Sequence, residues 1–115
     1  MIISRAPLRI SLAGGGTDLP AFYKRHPGEV VSFSINKFVY TTLHPRFEKG
    51  IRAAYSLVEE VNEVDQLQHN ILREVLKYYD YKGNLEITSI ADIPSKGSGL
   101  GSSSSFTTSV LSCLN

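Results

Sequence analysis

Among the 115 residues there is one cysteine, one methionine and no tryptophan. The lone cysteine, Cys113, cannot close an internal disulfide, so the fold does not call for an oxidising compartment. It ends an apolar helical stretch and is read as a buried structural thiol. An excess of either charge is missing as well. Twelve Lys and Arg face eleven Asp and Glu, which leaves +1 and no electrostatic footprint for nucleic acid or an anionic membrane. No apolar run approaches the ~20 residues of a membrane helix. Arg5 and Arg9 interrupt the N-terminal apolar residues where a signal peptide would need continuity. These absences point to the cytoplasm. None of the three histidines is spaced as H-x-x-x-H, which leaves no histidine metal motif. His69 lies beside the apolar stripe of a helical segment and reads as a structural histidine.

What is present is an ordinary globular composition, 42% apolar, enough for one small domain or part of a larger one. Its most informative stretch is Gly97-Ser98-Gly99-Leu100-Gly101-Ser102-Ser103-Ser104-Ser105. Phe106, Val110, Leu111 and Leu114 follow at helical spacing, so the serines occupy the first turn of a helix. Such an N-terminus presents unpaired N–H groups and the positive end of the macrodipole. Glycines before it let the backbone approach a ligand closely. Together they form a cradle for phosphate, with hydroxyls available to phosphate or magnesium. A flexible Gly/Ser linker is the plain alternative; Leu100 and the apolar pattern beyond the serines speak against it. There is no Gly-Lys-Ser/Thr, and G-x-G-x-G differs from the dinucleotide fingerprint.

The rest of the chain reads as an α+β mixture, with no internal repeat. Ile2 to Arg5 forms a short strand ended by Ala6-Pro7, and Leu8, Ile10 and Leu12 alternate in a second, half-buried strand. Gly14-Gly15-Gly16 breaks it. Asp18 reads as the N-cap of a short helix through Arg25, with Pro20 in its first turn. Glu29 to Leu43 is a long strand or a bent pair, with Asn36-Lys37 at the bend and Pro45 closing it. Ile51 to Val58 is a further strand. Asp65 to Tyr79 is a helix whose stripe is Val64, Leu67, Ile71, Leu72, Val75, Leu76 and Tyr79. Leu85 and Ile87 share one face of a strand that leads through Asp92 and Pro94 into the glycine loop. The last helix is still in pattern at Leu114 and meets no stop signal, so the chain is expected to be the front piece of a longer protein.

Two of these segments resemble motifs of the GHMP kinases, the superfamily of galactokinase, homoserine kinase, mevalonate kinase and phosphomevalonate kinase. Gly99-Leu100-Gly101-Ser102-Ser103-Ser104-Ser105 is similar to its G-L-G-S-S-A-A nucleotide loop, with Pro94 as the leading proline at a spacing one residue longer. Arg5-Ala6-Pro7-Leu8-Arg9-Ile10-Ser11-Leu12-Ala13-Gly14-Gly15-Gly16-Thr17-Asp18-Leu19-Pro20 resembles its first motif. Gly-Gly-Gly-Thr-Asp, rather than Gly-Glu-His-Thr-Asp, brings it nearest to the D-glycero-D-manno-heptose 7-phosphate kinase and fucokinase-like branch.

The resemblance implies a GHMP kinase N-terminal, ATP-binding domain (ribosomal protein S5 domain 2-like) over residues 1–115, truncated after the ATP-loop helix and without the C-terminal domain. It implies ATP-dependent phosphorylation of a sugar or sugar phosphate with Mg²⁺, in activated-heptose and surface polysaccharide synthesis. The residues expected around the nucleotide are Lys96, Gly97, Ser98, Gly99, Leu100, Gly101, Ser102, Ser103 and Ser104, with Ser103 nearest Mg²⁺. For Ser104 and Ser105, packing or capping stands as the alternative. Arg9 is expected beside the transferred phosphate, where a cation neutralises developing charge; a solvated strand arginine is the alternative. Asp18 is expected on sugar hydroxyls, with Gly16 and Thr17 shaping the pocket, unless it is only a cap. The expected partner is a small-molecule sugar or sugar phosphate, together with a homodimer and neither nucleic acid nor membrane. A fucokinase-like substrate, or a non-catalytic nucleotide- or sugar-binding module, stands as the alternative.

Overall fold

The computed structural model describes residues 1–94 and 99–115. A five-stranded mixed sheet carries two helices on one face. Its strands are β1 (Ile2–Ala13), β2 (Val31–Pro45), β3 (Ile51–Ala54), β4 (Val58–Val61) and β5 (Leu85–Ala91). Their spatial order is β1-β2-β5-β3-β4, antiparallel throughout except for the parallel β3–β5 pair. Helices α1 (Pro20–Tyr23), α2 (Asn70–Tyr78) and α3 (Ser102–Leu114) complete the α+β fold.

The period-two pattern that makes the strands also makes the core. Val39, Thr41 and Leu43 of β2 are buried on one face, with Leu85 and Ile87 of β5 and Ile51 and Ala53 of β3. Leu67, Leu72, Val75 and Leu76 close over them, followed by Val110 and Cys113 of α3. Cys113 is buried, as expected, with its thiol 3.5 Å from the Thr41 carbonyl. Polar bonds fix α3 on β1. Ser105 Oγ donates to the Pro7 carbonyl at 2.8 Å, and Ser4 Oγ donates to the Ser109 carbonyl at 2.5 Å. Packing is thus the role of Ser105.

Several boundaries differ from the sequence reading. β1 does not stop at Ala6-Pro7; it runs on to Ala13. β1 is an edge strand, paired on one side only, and Pro7 stands at its register shift, both places where a strand tolerates proline. The register shifts between Pro7 and Arg9, whose partners are Phe38 and Ser34. The extra β2 residues include Asn36 and Lys37, so the expected bend is a β-bulge. The strand expected from Ile51 to Val58 is a hairpin of β3 and β4. The helix expected from Asp65 to Tyr79 is broken. A 3₁₀ turn covers Val64–Gln66, Leu67 is extended, and α2 starts only after His69. His69 Nδ1 accepts the Leu72 N–H at 3.3 Å and so caps α2.

Asp18 is not an N-cap. It ends a 3₁₀ turn over Gly15–Asp18, and α1 begins after Leu19 with Pro20 first. α1 reaches only Tyr23, short of Arg25. The turn before it depends on Gly14, whose φ is +90° and where a Cβ would overlap the Glu29 carbonyl. Only glycine suits that position.

Candidate active site

The glycine loop returns from β5 to α3 between two clamps. At its entry, Asp92 and Phe38 are tied twice. The Asp92 N–H donates to the Phe38 carbonyl at 3.0 Å, and the Phe38 N–H donates to Asp92 Oδ2 at 2.8 Å. At its exit, the Arg9 N–H donates to the Leu100 carbonyl at 3.1 Å. Both clamps use backbone at the β1–β2 bulge, where irregular pairing releases groups that a regular ladder would consume.

Gly99 and Gly101 have φ of +64° and +70°. Gly101 is the N-cap of α3 and, having no side chain, gives it no side-chain cap bond. A Cβ on Gly101 would sit 3.1 Å from both Cγ and Nε of Arg9. The Arg9 guanidinium therefore lies across the loop at the start of the helix. Ser103 and Ser104 are exposed on the first turn, and Ser102 is half-buried. Lys96, Gly97 and Ser98 lie outside the described residues.

The other expected substrate residues sit further along β1. Arg9 to Ala13 is four residues, about 13 Å of strand, and the Gly15–Asp18 turn follows. Thr17 Oγ1 lies 2.7 Å from the Gly14 carbonyl and 3.0 Å from that of Glu29. One hydroxyl proton serves both, so Thr17 shapes the turn from within. Asp18 is exposed beside it.

A cleft of about 120 Å³ adjoins the first turn of α3. Tyr55, His69 and Phe106 form its aromatic walls, Val39 and Ile71 its apolar ones, and Ser103 its mouth. The His69 ring meets Tyr55 edge-on at 4.6 Å between centroids and Phe106 at 4.9 Å. The Tyr55 hydroxyl donates to Glu59, which also accepts the N–H of Gln68 at 2.6 Å and of His69 at 3.2 Å. Burial favours the neutral form of Glu59. The bonds from Tyr55, Gln68 and His69 outweigh it and hold the carboxyl below its usual range. Burial, then the bond to Glu59 and its charge, push Tyr55 up to about 12.

Sequence reasoning missed this cleft. Its walls come from a hairpin bend, a helix cap and α3, and only the last had a legible pattern. An available signal was Glu63-x-x-Gln66. Gln66 Oε1 accepts the Glu63 N–H at 3.2 Å, which marks a separate short turn before α2.

The start of α3 behind a left-handed glycine, the Arg9 side chain against it and an aromatic cleft alongside thus lie together. Residues 65–115 match the GHMP kinases N terminal domain. The match assigns this stretch, the last 51 residues, to the GHMP kinase family. The whole chain is 29% identical to the D-glycero-alpha-D-manno-heptose 7-phosphate kinase of Campylobacter jejuni, over 96% of this chain and 36% of that protein. The crystal structure of a D-glycero-D-manno-heptose 1-phosphate kinase from Bacteroides thetaiotaomicron superposes with a TM-score of 0.81 at 26% identity, over 96% of this chain and 40% of that one. Mevalonate kinase of Methanococcus jannaschii gives 0.75 at 20% identity, over 98% and 39%, a likeness of fold alone. The chain thus spans well under half the length of these relatives. Among the described residues, no helix is long and apolar enough to cross a membrane.

Proposed function

We propose that this chain is the ATP-binding, N-terminal part of a cytoplasmic sugar kinase that phosphorylates the anomeric hydroxyl of D-glycero-D-manno-heptose 7-phosphate, with a C-terminal domain completing the protein. The observation that carries this reading is the clamp of the glycine loop on Arg9, at the start of α3 beside an aromatic cleft. Gly99, Leu100, Gly101, Ser102, Ser103 and Ser104 surround the ATP phosphates, with Lys96, Gly97 and Ser98 in the same loop. The cleft lined by Tyr55, His69 and Phe106 takes the base.

The residues suit a nucleotide with its metal. Ser103 presents a hydroxyl on the exposed side of the first turn, an oxygen donor of the kind a hard cation prefers. Mg²⁺, when bound there, supplies charge neutralisation on the phosphates. Arg9 holds a fixed positive charge against the loop, where the transferred phosphoryl group gathers negative charge. Asp18 orients sugar hydroxyls, and Gly16 and Thr17 keep its turn in shape.

The heptose reading rests on the Gly14-Gly15-Gly16-Thr17-Asp18 turn and on the names of the relatives. The experiment that tests it is a panel of acceptors given to the whole protein with ATP and Mg²⁺. Heptose 7-phosphate should have the highest kcat/KM, above heptose 1-phosphate, fucose and galactose. Preference for fucose would shift the assignment to a fucokinase-like enzyme. Nucleotide binding without transfer to any acceptor would leave a binding module.

A further inference from the structure

Glu59 lies outside the phosphate loop, yet it holds two of the three aromatic walls of the cleft. It sits on β4 opposite Ala53. Its Oε1 accepts the Tyr55 hydroxyl and the His69 N–H, and its Oε2 accepts the Gln68 N–H. Tyr55 belongs to the bend after β3, whereas Gln68 and His69 lead into α2. One carboxylate thus joins the hairpin to the helix start.

The effect passes inward through the rings. His69 is held at its backbone by Glu59 and at Nδ1 by the Leu72 N–H, so its ring cannot turn without breaking the cap. That ring packs between Tyr55 and Phe106, and Phe106 stands in α3 one turn beyond Ser102. A half-buried carboxylate is costly unless its oxygens are satisfied, and here three donors meet it.

We infer that Glu59 is a positioning residue for the nucleotide base: it fixes Tyr55 and His69 as walls of the base cleft without itself touching the phosphates. This rests on the reading of the cleft as the base site.

The experiment separates the base from the phosphates. The whole protein is titrated with ATP and, separately, with inorganic tripolyphosphate, in unmodified form and as Glu59→Ala, Glu59→Gln and Tyr55→Phe. Glu59→Ala should raise the Kd for ATP by about tenfold and leave that for tripolyphosphate within about twofold, because the loop clamps at Phe38–Asp92 and Arg9–Leu100 are untouched. Glu59→Gln should fall between. Its amide oxygen still takes the Tyr55 hydroxyl, but its NH₂ opposes the Gln68 N–H. Tyr55→Phe keeps the ring and loses one bond, and should weaken ATP by about threefold.

Equal weakening of ATP and tripolyphosphate in Glu59→Ala would overturn the inference in favour of a general role for Glu59 in the fold. ATP binding unchanged in both Glu59→Gln and Tyr55→Phe would overturn it as well, including where Glu59→Ala fails to fold. If the unmodified protein binds neither ligand, the kinase reading falls and takes this inference with it. If it binds both and the variants do too, only this inference falls.

Discussion

The N–H of Arg9 donates to the carbonyl of Leu100 at 3.1 Å, so the outermost strand of the sheet holds the exit of the glycine loop. The bond exists because β1 and β2 lose register between Pro7 and Arg9. The same irregularity aims the Arg9 side chain over Gly101 rather than along the sheet. Two segments almost a hundred residues apart in sequence are therefore held against each other.

Arg9 should then matter through its guanidinium, because the backbone bond survives substitution. Arg9→Ala in the whole protein should lower kcat by about 10²-fold, the scale of one preorganised charge in phosphoryl transfer. Sugar KM should change little. Arg9→Lys should recover only part, since an ammonium lacks the planar fork. Steady-state kinetics with both substrates varied would check this. A rise in sugar KM alone, at full kcat, would return Arg9 to a surface strand residue.

Ser103 is exposed at the mouth of the cleft, whereas Ser105 is buried and bonded to Pro7. Ser103→Ala should cut kcat by about tenfold, the scale of one lost bond to a charged group. It should also raise the Mg²⁺ concentration needed for half-maximal rate. Ser105→Ala should instead lower the unfolding temperature, by leaving the Pro7 carbonyl without its donor. Parallel thermal melts and rate measurements separate the two.

For Asp18 the structure removes the cap explanation, because Leu19 occupies that position. Asp18→Ala should change stability by less than about 0.5 kcal/mol, as for an exposed side chain, where loss of a true cap costs about 1 kcal/mol. Calorimetry should show sugar binding weakened and ATP binding intact. Unchanged sugar affinity would leave Asp18 without a role in the site.

The Tyr55–Glu59 pair sets limits at both ends of the pH scale. Glu59 is held below its usual range when folded, so its contribution is full above the unfolded carboxylate value of 4.5. It is lost as pH falls through the folded value. Tyr55 is raised from 10.0 to about 12. Its contribution is therefore full below 10.0 and is lost as pH rises from there towards about 12. Unfolding temperature plotted against pH should fall at both ends. Tyr55→Phe should flatten the alkaline limb, and Glu59→Gln the acid limb. A phenolate absorbance titration should show Tyr55 ionising late, at about 12, with that step lost in Tyr55→Phe.

The glycine loop and α3 were legible because each rests on local chemistry: glycines for positive φ, serines for a first turn, apolar residues at helical spacing. β5 was legible for the same kind of reason, with Leu85 and Ile87 alternating into the core. The continuity of β1 was not, because a proline is tolerated on an edge strand or at a bulge, and both depend on position in the sheet. The break before α2 was hidden because Leu67 is buried whether or not it is helical. Asp18 has the composition of a cap, and only the actual start of α1 excludes it. The aromatic cleft joins Tyr55, His69 and Phe106 across three elements, a proximity that arises from tertiary packing.

The most direct test of the whole account is phosphorus NMR of the whole protein incubated with ATP, Mg²⁺ and D-glycero-D-manno-heptose 7-phosphate. The account predicts that ADP and a new anomeric phosphate resonance grow together, that the 7-phosphate signal persists, and that Arg9→Ala slows both. Release of inorganic phosphate with no new sugar phosphate, or no consumption of ATP at all, would contradict it.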